Sequence, residues 1–145
     1  MNAQLTLLVI SGLALTLEAD AQPLRVQVLN GRDAQPVVRE HVNIFRAGSS
    51  GDLSGDRNIT GLTTDADGVI TISDIALDTK FFYVFVDWHR QCTKAKNVVP
   101  FSLPNVLAKG VVSENTCKPA ITRASAPGTL ILFVRDESLF EKMAH

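Results

Sequence analysis

The stretch from Ile59 to Ile72, ITGLTTDADGVITI, constrains the fold of this 145-residue chain more than any other. Two β-branched runs flank Asp65-Ala66-Asp67-Gly68. β-Branched side chains are already restricted at χ1 and lose little by extending, whereas the central run supplies what a reversal needs. Glycine takes a positive φ, and short carboxylates bond back to turn amides. Read alone, the stretch predicts a β-hairpin with Asp65 and Asp67 as turn formers. An Asp-x-Asp-Gly run also opens calcium loops, but the third acidic position and the distal Glu are missing, so it is read as a plain turn.

Other segments carry the same two-residue period. Leu24 to Asn30 (LRVQVLN) and His41 to Arg46 (HVNIFR) alternate apolar and polar residues, as strands with one face on a core do. Phe81 to Trp88 (FFYVFVDW) and Thr129 to Arg135 (TLILFVR) are apolar in both alternating sets, which predicts strands covered on both faces or placed centrally. Val98 to Phe101 reads as one more short strand. Arg32 to Glu40, with Pro36, reads as a loop, and so does Ala47 to Asn58. Ser102, Pro104 and Gly110 bracket a short helix. A second helix is capped by Asp136 or Ser138, and its Leu139, Phe140 and Met143 fall close to one face, which is expected to close a core rather than to meet a membrane. About seven strands without βαβ alternation predict an all-β, seven-stranded immunoglobulin-like sandwich with one short helix in a loop and a short C-terminal helix.

Composition and the first residues bound the rest. With 46% hydrophobic and 20% charged residues the chain can build a core, and a net charge of −1 supplies no basic footprint for nucleic acid. Leu5 to Leu17 is an uncharged apolar run, and Ala19-Asp20-Ala21 follows it as a small-x-small cleavage pattern. Residues 1–21 are therefore expected to be a signal peptide, leaving 22–145 as one domain in a secreted or periplasmic protein. Contact with a membrane would come only through an uncleaved signal segment. In such a compartment Cys92 and Cys117 are expected to form a disulfide.

The order Val26-x-Val28, Asn30-Gly31, Pro36, Val42-x-Ile44, TTDADGVITI and then the aromatic run resembles the carboxypeptidase regulatory-like domain. That family belongs with prealbumin-like, transthyretin-like and collagen-adhesin B-type sandwiches, and the resemblance covers residues 24–88. It implies a small seven-stranded prealbumin-like sandwich, without catalysis, that serves as an accessory, spacer or binding module at the cell surface or in the periplasm. Collagen-adhesin repeats often carry a Lys to Asn crosslink. The first lysine here is Lys80, past the early strand that would donate it, so no such crosslink is expected. Transthyretin-like hydrolases of 5-hydroxyisourate carry a Tyr-Arg-Gly-Ser tail, and SLFEKMAH departs from it.

Chemistry is thinly signalled. The available imidazoles are His41, His89 and His145, none in a nucleophile-activating motif, so no catalytic residue and no cofactor are assigned. A disulfide between Cys92 and Cys117 competes with a metal site in which Asp87, His89, Cys92 and Cys117 converge as a small periplasmic metal-binding protein or hydrolase would need. Trp88, Tyr83 and the nearby Phe residues raise a third reading, a carbohydrate-stacking platform, against which stands the demand of the core for that same strand. The favoured expectation is a non-catalytic module that engages a protein or cell-surface partner.

Overall fold

The computed structural model describes residues 22–47, 58–76 and 78–144, with only the backbone of 58–60. The signal segment expected at 1–21, most of the Gly/Ser-rich loop expected after Ala47, and His145 lie outside the described residues. The described residues hold nine strands: β1 Leu24–Asn30, β2 His41–Ala47, β3 Asn58–Thr63, β4 Val69–Ile72, β5 Phe81–Val86, β6 His89–Gln91, β7 Phe101–Ser102, β8 Val111–Val112 and β9 Thr129–Asp136. Two helices accompany them, α1 Leu103–Lys109 and α2 Leu139–Met143. One sheet runs β4-β1-β9-β6 with β8 also on β9, and the other runs β3-β2-β5-β7. The all-β expectation holds, with nine strands where seven were expected. The additions are β6 and β8, polar or very short segments whose pairing is set by the backbone of β9 and not by any side-chain alternation.

The core lies between the sheets. Val26 and Val28 of β1, Leu130 and Leu132 of β9, Val42 and Ile44 of β2, and Phe82 and Val84 of β5 form one buried cluster, closed by Leu103 and Val106 of α1. Each such side chain contributes about 1.5–3 kcal/mol by leaving water. Helix α1 forms as its sequence predicts. Ser102 Oγ accepts from Asn105 N at 3.4 Å, and the Gly110 N–H bonds back to Val106 O with φ at 74°.

Strand β9 is buried on both faces, as its double apolar set predicts. Ile131 and Phe133 point away from the main core and pack with Leu29 and Cys92 in a second cluster, beneath Val112, Cys117 and Ile121. The Cys92–Cys117 disulfide, 25 residues apart in sequence, fastens that cover. The backbone of Gly31 passes so close that a Cβ there would lie 2.5 Å from Cys92 Sγ.

The opening stretch is not a hairpin. Strand β3 pairs with β2 (Val42 opposite Leu62), and β4 pairs with β1 (Val26 opposite Ile70), so the Asp65–Gly68 turn carries the chain from one sheet to the other. A two-stranded hairpin alone is marginal in water, and each strand finds a longer partner elsewhere. The turn itself is built as its residues predict. Asp65 Oδ1 accepts from the amides of Asp67 and Val69, both at 2.9 Å, and Gly68 adopts φ 71°. Backbone bonds from Arg39 N to Thr64 O and from Val28 N to Gly68 O tie the corner to both sheets.

Two further expectations are corrected. The aromatic strand stops at Val86, so Trp88 leaves the core, and Leu139, Phe140 and Met143 of α2 close no core, being 70%, 80% and 66% exposed.

Gly68→Ala should destabilise by about 1–3 kcal/mol in urea denaturation, because the new Cβ meets Val28 O at 2.6 Å in a left-handed conformation. Replacing both cysteines by serine should cost about 3 kcal/mol in the same assay.

Candidate functional site: the β5–β6 end of the sandwich

The residues between Asp87 and Cys117 that sequence reasoning singled out do not converge. Asp87 closes the β5–β6 turn, and its Oδ1 accepts from Asn43 Nδ2 at 3.4 Å. His89 begins β6 with both ring nitrogens occupied, Nδ1 lying 2.7 Å from the Asp87 carbonyl and Nε2 3.0 Å from Asp136 Oδ1. Cys92 and Cys117 are bonded to each other, on the far face of the sheet, so neither is a thiolate. Among the described residues no group of three or more His, Cys, Asp or Glu side chains is placed to hold a metal ion. His41 lies against Gly61 on the other sheet, where an added Cβ would meet its ring at 2.9 Å, and His145 lies outside the described residues. Imidazole catalysis needs a ring nitrogen facing a nucleophile, and the nitrogens of His89 face a carbonyl and a carboxylate.

What the turn does present is Trp88. It has φ 61° and is 60% exposed, whereas Tyr83, the other aromatic named for a stacking platform, is buried. A left-handed residue between two strands swings its side chain off the line of the strand. The Trp88 carbonyl accepts from Glu137 N at 2.9 Å, which brings the turn against the end of β9 and the start of α2. Lys142 Nζ stands 5.8 Å from the centre of the indole ring.

Helix α2 is seated by charge. Ser138 and Glu141 form a reciprocal capping box, with Ser138 N donating to Glu141 Oε2 at 2.7 Å and Glu141 N donating to Ser138 Oγ at 3.3 Å. The same carboxylate takes a two-pronged bond from Arg135, Nη1 to Oε2 at 2.9 Å and Nη2 to Oε1 at 2.8 Å. These bonds, first Arg135 and then the Ser138 amide, hold the Glu141 carboxyl well below the usual carboxylate range, and Glu141 in turn raises Arg135. Arg90 Nε lies 3.5 Å from both Glu137 and Glu141. With Glu141 turned toward the sheet, helical geometry leaves Leu139, Phe140 and Met143 outward.

A cleft of about 200 Å³ opens beside this corner, where β5 and β6 part into different sheets. Val84, Val86, Leu132 and Val134 line it with apolar surface, and His89, Arg90, Gln91, Lys96, Asn97 and Glu137 supply polar groups of both signs. Gln91 bridges the sheets at the side of the cleft, donating to Val84 O at 3.3 Å and accepting from Val99 N at 3.4 Å. Below it, Glu114 accepts from Thr93 Oγ1 and Lys94 N, and these bonds, the backbone one first, lower its pKa and pin the loop after β6.

Arg90, Arg135, Glu137 and Glu141 were not singled out by sequence reasoning. Scattered charges carry no periodic signal, and the only readable sign was the Ser138-x-x-Glu141 capping box. Neither a protein-family model nor a curated protein matches the chain.

Because the folded state binds the Glu141 proton less readily than the unfolded chain, whose value is 4.5, the contribution of this contact is complete above that pH and declines as pH falls below it. Amide exchange across 139–144 is expected to accelerate below about pH 4 before that of the sheets, and Glu141→Gln should abolish this pH dependence.

Proposed function

We propose that the chain is an exported, non-catalytic β-sandwich module of the prealbumin-like type that engages a protein partner through its β5–β6 end. The observation that carries this reading is the outward apolar set Trp88, Leu139, Phe140 and Met143. An apolar helix face normally turns inward. Here the inward position is taken by Glu141 on Arg135, so the apolar side is held in water by specific bonds. Apolar side chains kept outside at such cost in solvation mark interaction sites, and tryptophan is enriched among residues that dominate binding energy.

Charge selects the class of partner. Exposed Asp87 flanks Trp88, and Asp136, with its side chain 78% exposed, lies beside them. Acidic groups at the rim oppose an anionic lipid surface, and a five-residue helix buries too little to bind an interface alone. They suit a protein groove with an apolar floor and a basic rim. Export is supported by the disulfide, which persists in oxidising compartments. The prealbumin-like assignment is supported by two facing sheets of five and four strands and by the 24–88 resemblance.

A carbohydrate-binding reading gains from one observation, the exposure of Trp88, and is weakened by Lys142 over the ring and by the burial of Tyr83. The metal or hydrolase reading has no such support, since the thiols it requires are joined.

A photoreactive phenylalanine analogue at position 140 should give one reproducible protein adduct in the native envelope or medium, absent when the analogue replaces exposed Asp74, just past β4 at the opposite end of the sheet. Phe140→Asp should weaken that interaction by tenfold or more, about 1.4 kcal/mol, while changing fold stability by less than about 0.5 kcal/mol. Equal labelling from both positions would overturn the reading. A shift of Trp88 emission with oligosaccharide, without a protein adduct, would replace it by the carbohydrate one.

A further inference from the structure

Strand β5 has an edge that its own sheet leaves unfinished. Asp87 N donates to His41 O, and Leu103 N donates to Lys80 O. The bonded direction alternates along a strand, so Phe81, Tyr83, Phe85 and Asp87 bond to β2, whereas Lys80, Phe82, Val84 and Val86 turn their main chain the other way. Strand β7 meets that second side at Phe82, opposite Phe101, and goes no further. At Val84 the carboxamide of Gln91 fills the next rung, donating to Val84 O at 3.3 Å and accepting from Val99 N at 3.4 Å. The rung at Val86 is open. Among the described residues the N–H groups of Val84 and Val86 and the Val86 carbonyl meet no protein partner, although the two residues are only 1% and 6% exposed. Main-chain groups buried without a partner are rare, and each costs free energy until something supplies the missing bond.

The cleft runs along this edge. Phe85 borders it although its side chain lies on the outer face of the sheet, against Phe45 and Tyr83, so the strand meets the cleft with its main chain. Val84 and Val86 face Leu132 and Val134 across about 200 Å³, and an apolar cavity of about 150 Å³ already accommodates benzene. Residues directly opposite in a ladder carry their side chains on the same face. A residue bonded to Val86 therefore points its side chain inward, toward Leu132 and Val134. Arg90 stands against Glu137, and Lys96 at the rim is exposed, so no buried charge is left to match. A charged side chain entering the cleft loses its hydration without gaining a partner. Main-chain bonds at an open edge supply affinity, and a pocket for an alternate side chain supplies selectivity.

We propose that this cleft binds an extended, uncharged peptide segment that adds one short strand to the open edge of β5, with the residue opposite Val86 placing an apolar side chain between the sheets.

The test uses the oxidised chain and the peptide acetyl-Ser-Thr-Phe-Thr-Ser-amide, with backbone amide shifts followed by NMR during titration. The peptide should saturate with a Kd of about 1 mM or tighter, moving the amides of Val84 and Val86 downfield as they acquire an acceptor. N-methylation of its Phe removes the donor for Val86 O while keeping the side chain, and should weaken binding at least about tenfold. Gly in place of that Phe empties the pocket, and Asp or Lys there buries an unmatched charge; each should also weaken binding at least about tenfold. Ala95→Phe, at an exposed position on the wall of the cleft, should abolish binding with an unchanged melting temperature. Phe140→Asp should leave the titration as it was, which separates this site from the docking of a protein partner on α2. The proposal is overturned if the peptide does not saturate below about 10 mM, if the N-methylated or charged peptides bind as tightly, if the amides of Val84 and Val86 do not move, or if Phe140→Asp weakens binding as Ala95→Phe does.

Discussion

The backbone of β9 must find hydrogen-bond partners along both edges inside a largely dry interior, and the arrangement of the molecule follows from how it does so. Strand β1 covers one edge in parallel from Thr129 to Val134. The other edge is covered piecewise, since no single strand runs its length. β8 pairs at Leu130 and Ile131, Ser113 N donates to Ile131 O and Ser113 Oγ accepts from Phe133 N. Cys92 N then donates to Phe133 O, and β6 completes the edge from Val134 to Asp136. The disulfide joins the two segments that share this edge, Cys92 directly after β6 and Cys117 beyond β8. A patched edge is less cooperative than a continuous strand, and a covalent link between its pieces restores part of what is lost by limiting the unfolded chain.

The same patching creates both surface features of the β5–β6 end. To reach β9, the chain leaves one sheet after Val86 and enters the other at His89, which leaves only Asp87 and Trp88 for the crossing. So short a link forces the left-handed conformation at Trp88 and puts its side chain into solvent. It also leaves β5 and β6 diverging, and the gap between them is the cleft. Burial of the indole would stabilise by more than the two-residue turn can accommodate, so chain geometry outweighs hydrophobicity at this residue.

At α2 electrostatics outweigh hydrophobicity in the same way. The five-residue helix is too short to hold itself, and its orientation is set by whichever contact is most specific. A two-pronged guanidinium–carboxylate bond reinforced by a capping amide is directional, whereas apolar packing is not. Glu141 therefore faces the sheet, and three apolar residues face water.

Local chemistry was legible in the sequence wherever the physical cause was local. The Asp65–Gly68 turn, the Ser102 and Gly110 caps of α1, the two-sided burial of β9 and the Cys92–Cys117 pair all follow from residues within a few positions or from composition. Partner choice was not legible. The alternation of Ile59–Thr63 and Val69–Ile72 states that each is extended but does not state with which strand, and the two were separated into different sheets, β3 on the seven-residue β2 and β4 on the seven-residue β1. Trp88, Arg90 and Glu141 belong to the same category. Their roles depend on particular meetings, with Glu137 far along the chain for the first two and with Arg135, six residues back across the start of α2, for the third, and no periodicity encodes such meetings. By itself the sequence determined an all-β chain with its turns, caps and covalent link, because those are set by φ, χ1 and hydrogen-bonding capacity over short spans. Only the tertiary structure decided that the opening stretch is a corner between sheets and that Trp88 is exposed where β5 crosses to β6, because both depend on which backbone edges remain to be paired once the core has formed.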